Sequence, residues 1–166
     1  MINMECIVPE CYGDTILIKT IFGGKSPKHQ KGIANVKITM NALALKYPVV
    51  VGVMDNDKKE QTFFNQLTCI KDYGLFEHRI DENKHFIILK PALEKFLIDS
   101  CKEANIDLKE YFHVNNDPKK LGRYLKASSI SSSNIYIGLI SDLLKAKNSK
   151  LGELKKAIEG VFLEYA

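Results

Sequence analysis

The sequence predicts an α/β fold, with helices covering both faces of a mainly parallel central sheet and a helical extension at the C-terminal end. Three observations carry that expectation. Val49-Val50-Val51-Gly52-Val53-Met54 is a continuous apolar run rather than an alternating one, as expected of a strand buried on both sides. Helical patterns separate it from an earlier short strand, the order of a parallel crossover. The chain of 166 residues, 45% hydrophobic and 27% charged, is long enough to bury a real core in an ordinary globular domain.

Met4 to Val8 reads as the first strand, ended by Pro9, which has no N–H for a sheet ladder. Asp14-Thr15 predicts the N-cap of a helix through Ile16, Leu17, Ile21 and Phe22, stopped by Gly23-Gly24. A polar loop from Lys25 to Lys31 leads into a second helix with Ile33, Val36, Met40 and Leu43 on one face. After the valine-rich strand and Asp57, the spacing of Phe63, Phe64, Leu67 and Ile70 predicts a helix ending near Gly74. Phe76 to Ile80 and His85 to Leu89 read as two strands joined by the turn Asp81-Glu82-Asn83-Lys84.

Pro91 suits the first turn of a helix carrying Leu93, Phe96, Leu97, Cys101 and Ala104. Beyond Asn105 the chain is helical and more polar. Ser128 to Ser133 ends one helix and caps another, and a last helix after Asn148-Ser149 carries Leu151, Leu154, Ile158, Val161 and Phe162. Residues 1–110 are expected to form the α/β domain and 111–166 a helical extension packed on it. A single domain over 1–166 fits the same pattern.

The net charge of +4 and pI near 8.8 are compatible with a phosphate-bearing partner without forming the basic stripe of a dedicated nucleic-acid binder. Cysteines 6, 11, 69 and 101 form no C-x-x-C pair, and no signal peptide is recognised, so a reducing cytoplasm is expected. The longest apolar run is too short to span a bilayer, which excludes a membrane role of that kind.

Two segments carry chemistry. Val53-Met54-Asp55-Asn56-Asp57 puts two carboxylates at the carboxyl end of a buried strand, where open parallel sheets bind ligands. Period-2 alternation aims Asp55 and Asp57 to one side, and a hard divalent cation would relieve their repulsion. A solvated loop with one Asp capping the next helix fits the same letters. In Pro9-Glu10-Cys11-Tyr12-Gly13-Asp14-Thr15, Glu10 closes the first strand, Gly13 allows a tight turn, and Asp14 fits a helix cap better than a ligand. If the two strands are neighbours, Glu10, Asp55 and Asp57 meet at one sheet edge.

Together these residues resemble the Toprim family, the metal-binding domain shared by topoisomerases, bacterial primases, small ribonucleases and OLD-type nucleases. Glu10, Gly13 and Asp14 match its glutamate turn, and Asp55 and Asp57 its D-x-D pair. The turn reads Glu-Cys-Tyr-Gly-Asp rather than the commoner Glu-Gly, and the segment between Phe22 and Ile33 is short and polar for a second strand. The resemblance implies a three-layer Toprim-like domain of a stand-alone bacterial or phage-defence protein. It implies Mg2+ (or Mn2+) held by Asp55 and Asp57, with Glu10 as third ligand or general acid/base and Gly13 and Asp14 as accessory residues. The implied activity is a magnesium-dependent nuclease acting on DNA or RNA phosphodiesters. Two alternatives stay open: a catalytically inactive Toprim-like binding or regulatory module, and a haloacid-dehalogenase-like phosphatase attacking with the D-x-D.

The loop residues Lys25, Lys28, His29 and Lys31 are candidates for phosphate binding ahead of a helix start, or else a solvated surface loop. His78, His85 and His113 are expected at the surface or at an edge. Lys102, Lys119, Lys120, Arg123 and Lys126 tint the extension basic and read as solvated helix faces. Phe112, Tyr124 and Tyr136 are residues that can stack on bases, with core packing the commoner use. Expected partners are nucleic acid, and a protein docked on the C-terminal helices; oligomeric state is left open.

Overall fold

The computed structural model describes residues 2–147 and 149–166. Asn148, which the sequence sets beside Ser149 ahead of the last helix, lies outside the described residues. The side chain of Asn3 accepts a hydrogen bond from Glu5 N–H and so caps a short 3-10 turn, Met4–Cys6. That turn takes up the first three residues of the expected strand, and β1 is Ile7–Pro9. Helix α1 spans Tyr12–Phe22 and ends at Gly23. Helix α2, Ile33–Ala44, buries Ile33, Val36 and Met40. Strand β2 follows as Val50–Asp55 and pairs in parallel with β1, Ile7 opposite Val51 and Pro9 opposite Val53. The crossover from β1 to β2 therefore holds two helices and no further strand between Phe22 and Ile33.

The region after Asp57 departs from expectation. A 3-10 turn, Lys58–Glu60, leads into the short α3, Gln61–Gln66, and the chain then extends as β3, Thr68–Asp72. Of the four apolar residues that predicted a longer helix, Phe64 and Leu67 are buried, whereas Ile70 is 53% exposed on β3. The guanidinium of Arg79 donates to Phe64 O at 3.0 Å, tying the end of α3 to the next strand. Strands β4, Phe76–Asp81, and β5, Lys84–Leu89, form the expected hairpin.

The strand order is β1-β2-β5-β4-β3. β1, β2 and β5 run parallel, whereas β5, β4 and β3 are joined antiparallel. The sheet is mixed, correcting the expectation of a mainly parallel one. The physical reason is local: a tight turn can join only antiparallel neighbours, and β3 adds a second such pairing.

Alternation along the strands divides the core into two layers. Ile7, Val51, Val53, Ile87 and Leu89 face one side, and Val8, Val50, Met54, Phe86 and Ile88 face α2 and α3 on the other. Gly52 is where α2 comes closest to the sheet, since a Cβ there would meet Met40 Sδ at 2.5 Å. The first layer holds α1, helix α4 (Leu93–Glu103) and the chain beyond it: α5 (Lys109–Phe112), α6 (Pro118–Lys126), α7 (Asn134–Lys145) and α8 (Lys150–Glu164). A 3-10 turn occupies Ser128–Ser132, and Ser133 caps α7 by accepting from Tyr136 N–H. Leu121, Leu125, Tyr136, Leu139 and Leu154 lie in the same apolar cluster as Ile7 and Val51, so the C-terminal helices share a core with the sheet. Among the described residues no helix is long and apolar enough to cross a membrane.

Candidate functional site

Because β1 and β2 are parallel neighbours, their carboxyl ends lie side by side, and so do the residues that follow. Glu10 N–H donates to Val53 O at 3.0 Å, extending the ladder by one residue. The Glu10 side chain then turns toward β2, and its Oε2 accepts from Asp55 N–H at 3.0 Å. Asp55 Oδ1 in turn accepts from Leu93 N–H at 2.8 Å. Leu93 is the first residue of α4, whose own N-cap, Ala92, has no capping side chain. Asp55 thus supplies the missing acceptor at a helix start, where the backbone dipoles favour negative charge.

Asp57 behaves differently. The strand ends at Asp55, so alternation does not extend through Asp57, which becomes the cap of the Lys58–Glu60 turn with Oδ1 accepting from Lys59 N–H at 2.9 Å. The expected common side for Asp55 and Asp57 presupposed extended backbone that this turn replaces. Asp57 still lies within electrostatic reach of Glu10.

Asp14 is fully buried. It was expected as an N-cap, but α1 begins two residues earlier and Cys11 holds that position. The Cys11 thiol accepts from Asp14 N–H at 3.5 Å while Asp14 Oδ2 accepts from Cys11 N–H at 3.2 Å, a reciprocal capping box. Asp14 Oδ1 has no hydrogen-bond partner. Gly13 is a point of close approach, because a Cβ there would lie 2.6 Å from Leu93 Cδ2 and 3.1 Å from Leu125 O. The Tyr136 hydroxyl donates to Gly13 O at 3.0 Å, which fixes this turn from the far side.

Burial and like charge act together on these carboxyls. Burial, then Glu10 and Glu94, push Asp55 up to about 7, against the Leu93 amide and Lys126. Glu10 is raised by burial and by Asp57 and Glu60, while the Asp55 amide and Lys126 hold it down. Asp14 lies well above the usual carboxylate range because of burial and the charges of Asp55 and Glu10. Such a site favours either bound protons or a cation that replaces them.

Lys126 and Glu94 are the residues the sequence reading missed here. Lys126 ends α6, some seventy residues beyond Asp57 in the chain, and no local pattern links the two. Glu94 lies against α6, with its Oε1 3.3 Å from where a Gly122 Cβ would stand. The lysine loop is also brought near: Gln30 N–H donates to Pro9 O at 2.9 Å, and the His29 and Tyr12 rings lie 4.0 Å apart. Lys25, Lys28 and Lys31 project exposed from it.

Among the described residues, no group of three or more His, Cys, Asp or Glu side chains is arranged to hold a metal ion. What converges is a pair, Glu10 and Asp55, each with one oxygen tied to a backbone amide, and Asp57 beyond them facing its own cap.

One further expectation is corrected, that for the histidines of the hairpin. His78 and His85 are not surface residues: they are 7% and 2% exposed, and His78 Nε2 lies 2.8 Å from His85 Nδ1. Antiparallel register puts them on the same face of adjacent strands, which sequence spacing alone does not reveal. Tyr136 and Phe112 are core residues, leaving Tyr124, at 51% exposure, as the one of the three aromatics open to a ligand.

Comparison with protein-family models, with curated proteins and with solved structures finds no match to this chain.

Proposed function

We propose that this chain is a Toprim-like, magnesium-dependent nuclease, with Glu10, Asp55 and Asp57 as its acidic centre and nucleic acid as its partner. The observation that carries the reading is the Glu10 Oε2 to Asp55 N–H bond at 3.0 Å. It brings two carboxylates, 45 residues apart, to neighbouring strand ends in a half-buried place where their charges oppose each other.

The donor set fits a hard divalent cation, which takes oxygen ligands. Glu10 Oε1 and Asp55 Oδ2 are the oxygens not engaged with backbone amides, and Asp57, whose Oδ1 caps Lys59 N–H, would have to turn toward them to complete the set. Bound magnesium supplies charge neutralisation and an activated water. Where the aspartates alone hold the ion, Glu10, raised by its surroundings, takes the other role and accepts and returns a proton at Oε1. Lys126, and the exposed Lys28 and Lys31 of the neighbouring loop, offset the charge of a phosphodiester approaching the acidic centre.

The test is cleavage of plasmid DNA, single-stranded DNA and RNA with Mg2+ or Mn2+, comparing the native chain with Asp55→Ala and Glu10→Ala. Cleavage that falls by about 100-fold or more in each variant is expected for groups that hold the metal or move the proton. No cleavage with either ion, or cleavage indifferent to both substitutions, overturns the nuclease reading. It would leave the binding or regulatory module in its place.

A further inference from the structure

Helix α6 has an unusual exposed face. Its outward residues are Lys119, Lys120, Arg123, Tyr124 and Lys126, and its inward ones are Leu121, Gly122 and Leu125. Lys119, Arg123 and Lys126 follow the i, i+4, i+7 spacing of one helix side, so they form a row with about 6 Å of rise between the first two. Lys120 and Tyr124 lie one above the other beside that row, at i and i+4.

Among the described residues, no acidic side chain forms an ion pair with these cations, although Lys126 acts at longer range on Glu10 and Asp55. Lys37, Arg79, Lys84, Lys90, Lys95 and Lys150 each pair with an acidic side chain within 3.0 Å. Among the described residues none of the four α6 cations does so. Asp117 is the N-cap of this helix, its Oδ1 accepting from Lys119 N–H and Lys120 N–H, and Glu94 lies on the opposite, inward side against Gly122. Tyr124 is 51% exposed in the middle of this cationic face, its ring 5.9 Å from that of Phe112 and open to a further ligand.

The row also has a direction. Gly122 and Leu125 are in contact with Glu94 and Gly13, so α6 packs against the two turns that build the acidic centre. Its last residue, Lys126, is the one whose charge reaches Glu10 and Asp55. A polyanion lying along the row from Lys119 to Lys126 ends at those carboxylates.

We infer that α6 is the docking surface for single-stranded nucleic acid, with Lys119, Arg123 and Lys126 along the phosphates and Tyr124 stacking on a base. The inference rests on the acidic centre being the place where a phosphodiester is processed. Charge complementarity selects a polyanion. The exposed ring selects unpaired bases over duplex, because stacking needs a free base face. An anionic lipid surface takes cations and a tyrosine ring too, so the experiment sets vesicles against oligonucleotides.

The experiment is fluorescence anisotropy of a labelled oligo(dT) 20-mer, the corresponding RNA and a blunt duplex, all in EDTA so that binding is read without cleavage. Anionic vesicles form a further arm. We expect both single strands to bind at least about 10-fold more tightly than the duplex. Tyr124→Ala should weaken binding about 5-fold or more, as loss of a stacked base does. The double variant Lys119→Glu/Arg123→Glu should weaken it further and flatten the plot of log affinity against log salt by about 1.4, for two lost phosphate contacts. All these residues are exposed, and circular dichroism checks that the variants fold. Duplex binding equal to single-strand binding, indifference to both variants, or vesicle binding in preference to oligonucleotide overturns the inference. Single-strand binding in EDTA without cleavage in magnesium sinks the nuclease reading and leaves this one standing. Cleavage indifferent to the α6 variants does the reverse.

Discussion

Two groups of buried ionisable side chains sit at opposite ends of the same strands. At the start of β2 and β5, where Val51 is opposite His85, lies the His78–His85 pair. At the other end, where Asp55 is opposite Leu89, lie Asp55, Glu10 and the buried Asp14. The histidines solve their burial locally. A neutral imidazole donates with one nitrogen and accepts with the other, so each satisfies the other, and His85 Nε2 reaches the Tyr165 hydroxyl at 3.4 Å. The carboxylates cannot do this. Ionised, all are acceptors alone; they borrow backbone amides from Asp55, Leu93 and Cys11 and still leave Asp14 Oδ1 without a donor. One end is a closed polar contact, and the other is incomplete without protons or a cation.

The largest expected effect separates the two ends by pH. Asp55 is raised to about 7, so its contribution to stability is present at low pH and is lost as pH rises from its unfolded value through 7. In metal-free protein the loss is up to roughly 4 kcal/mol over that range, since each unit is about 1.4 kcal/mol. Asp55→Asn should flatten this slope in urea melts. An equal slope in native and variant chains would remove the strain attributed to the site.

The histidine end should answer with the opposite sign. Burial, then His78, lower His85 to about 4, and burial lowers His78 against the pull of Glu164. The His85 contribution is present above the unfolded value and is lost as pH falls from about 6.5 toward 4, by roughly 3 kcal/mol, and His78 acts in the same direction. Because this overlaps the carboxylate effects, those of Glu10 and Asp14 included, it is read as the difference between the native chain and His85→Ala, which should lose less stability, or gain more, on acidification. His85→Ala at neutral pH should cost about 2–3 kcal/mol, from the lost ring and the orphaned His78 nitrogen.

A comparable gain is expected from metal. Magnesium or manganese at 100 times its dissociation constant should stabilise the native chain by about 2.7 kcal/mol if it binds only the folded state. The His85→Ala variant should gain as much, and Glu10→Gln much less. The smallest effect is Tyr165→Phe, which removes one long hydrogen bond at the chain end and should cost about 1 kcal/mol or less. It should leave the metal response unchanged.

What the sequence made legible follows from the range of each signal. The α2 face, the β4–β5 hairpin and the last helix rest on contiguous periodicity, and the structure has all three. The Glu10 and Asp55 positions were legible because each closes a strand next to a turn. Strand β3 was not: all five of its residues are exposed, so it has no buried face to announce it. The start of α1 was misplaced because a thiol is a weak acceptor and Cys11 does not look like a cap. Neither the histidine contact nor the approach of Lys126 was legible, because strand register and helix packing create them.

Manganese binding by isothermal titration at pH 7, on the native chain and on Asp55→Asn and Glu10→Gln, tests the central claim most directly. We predict one ion per chain, with a heat that changes with buffer because the incoming cation displaces protons from the carboxyls, and loss of binding in both variants. No binding, or binding that neither substitution weakens, would mean that Glu10 and Asp55 meet for the sake of the fold alone.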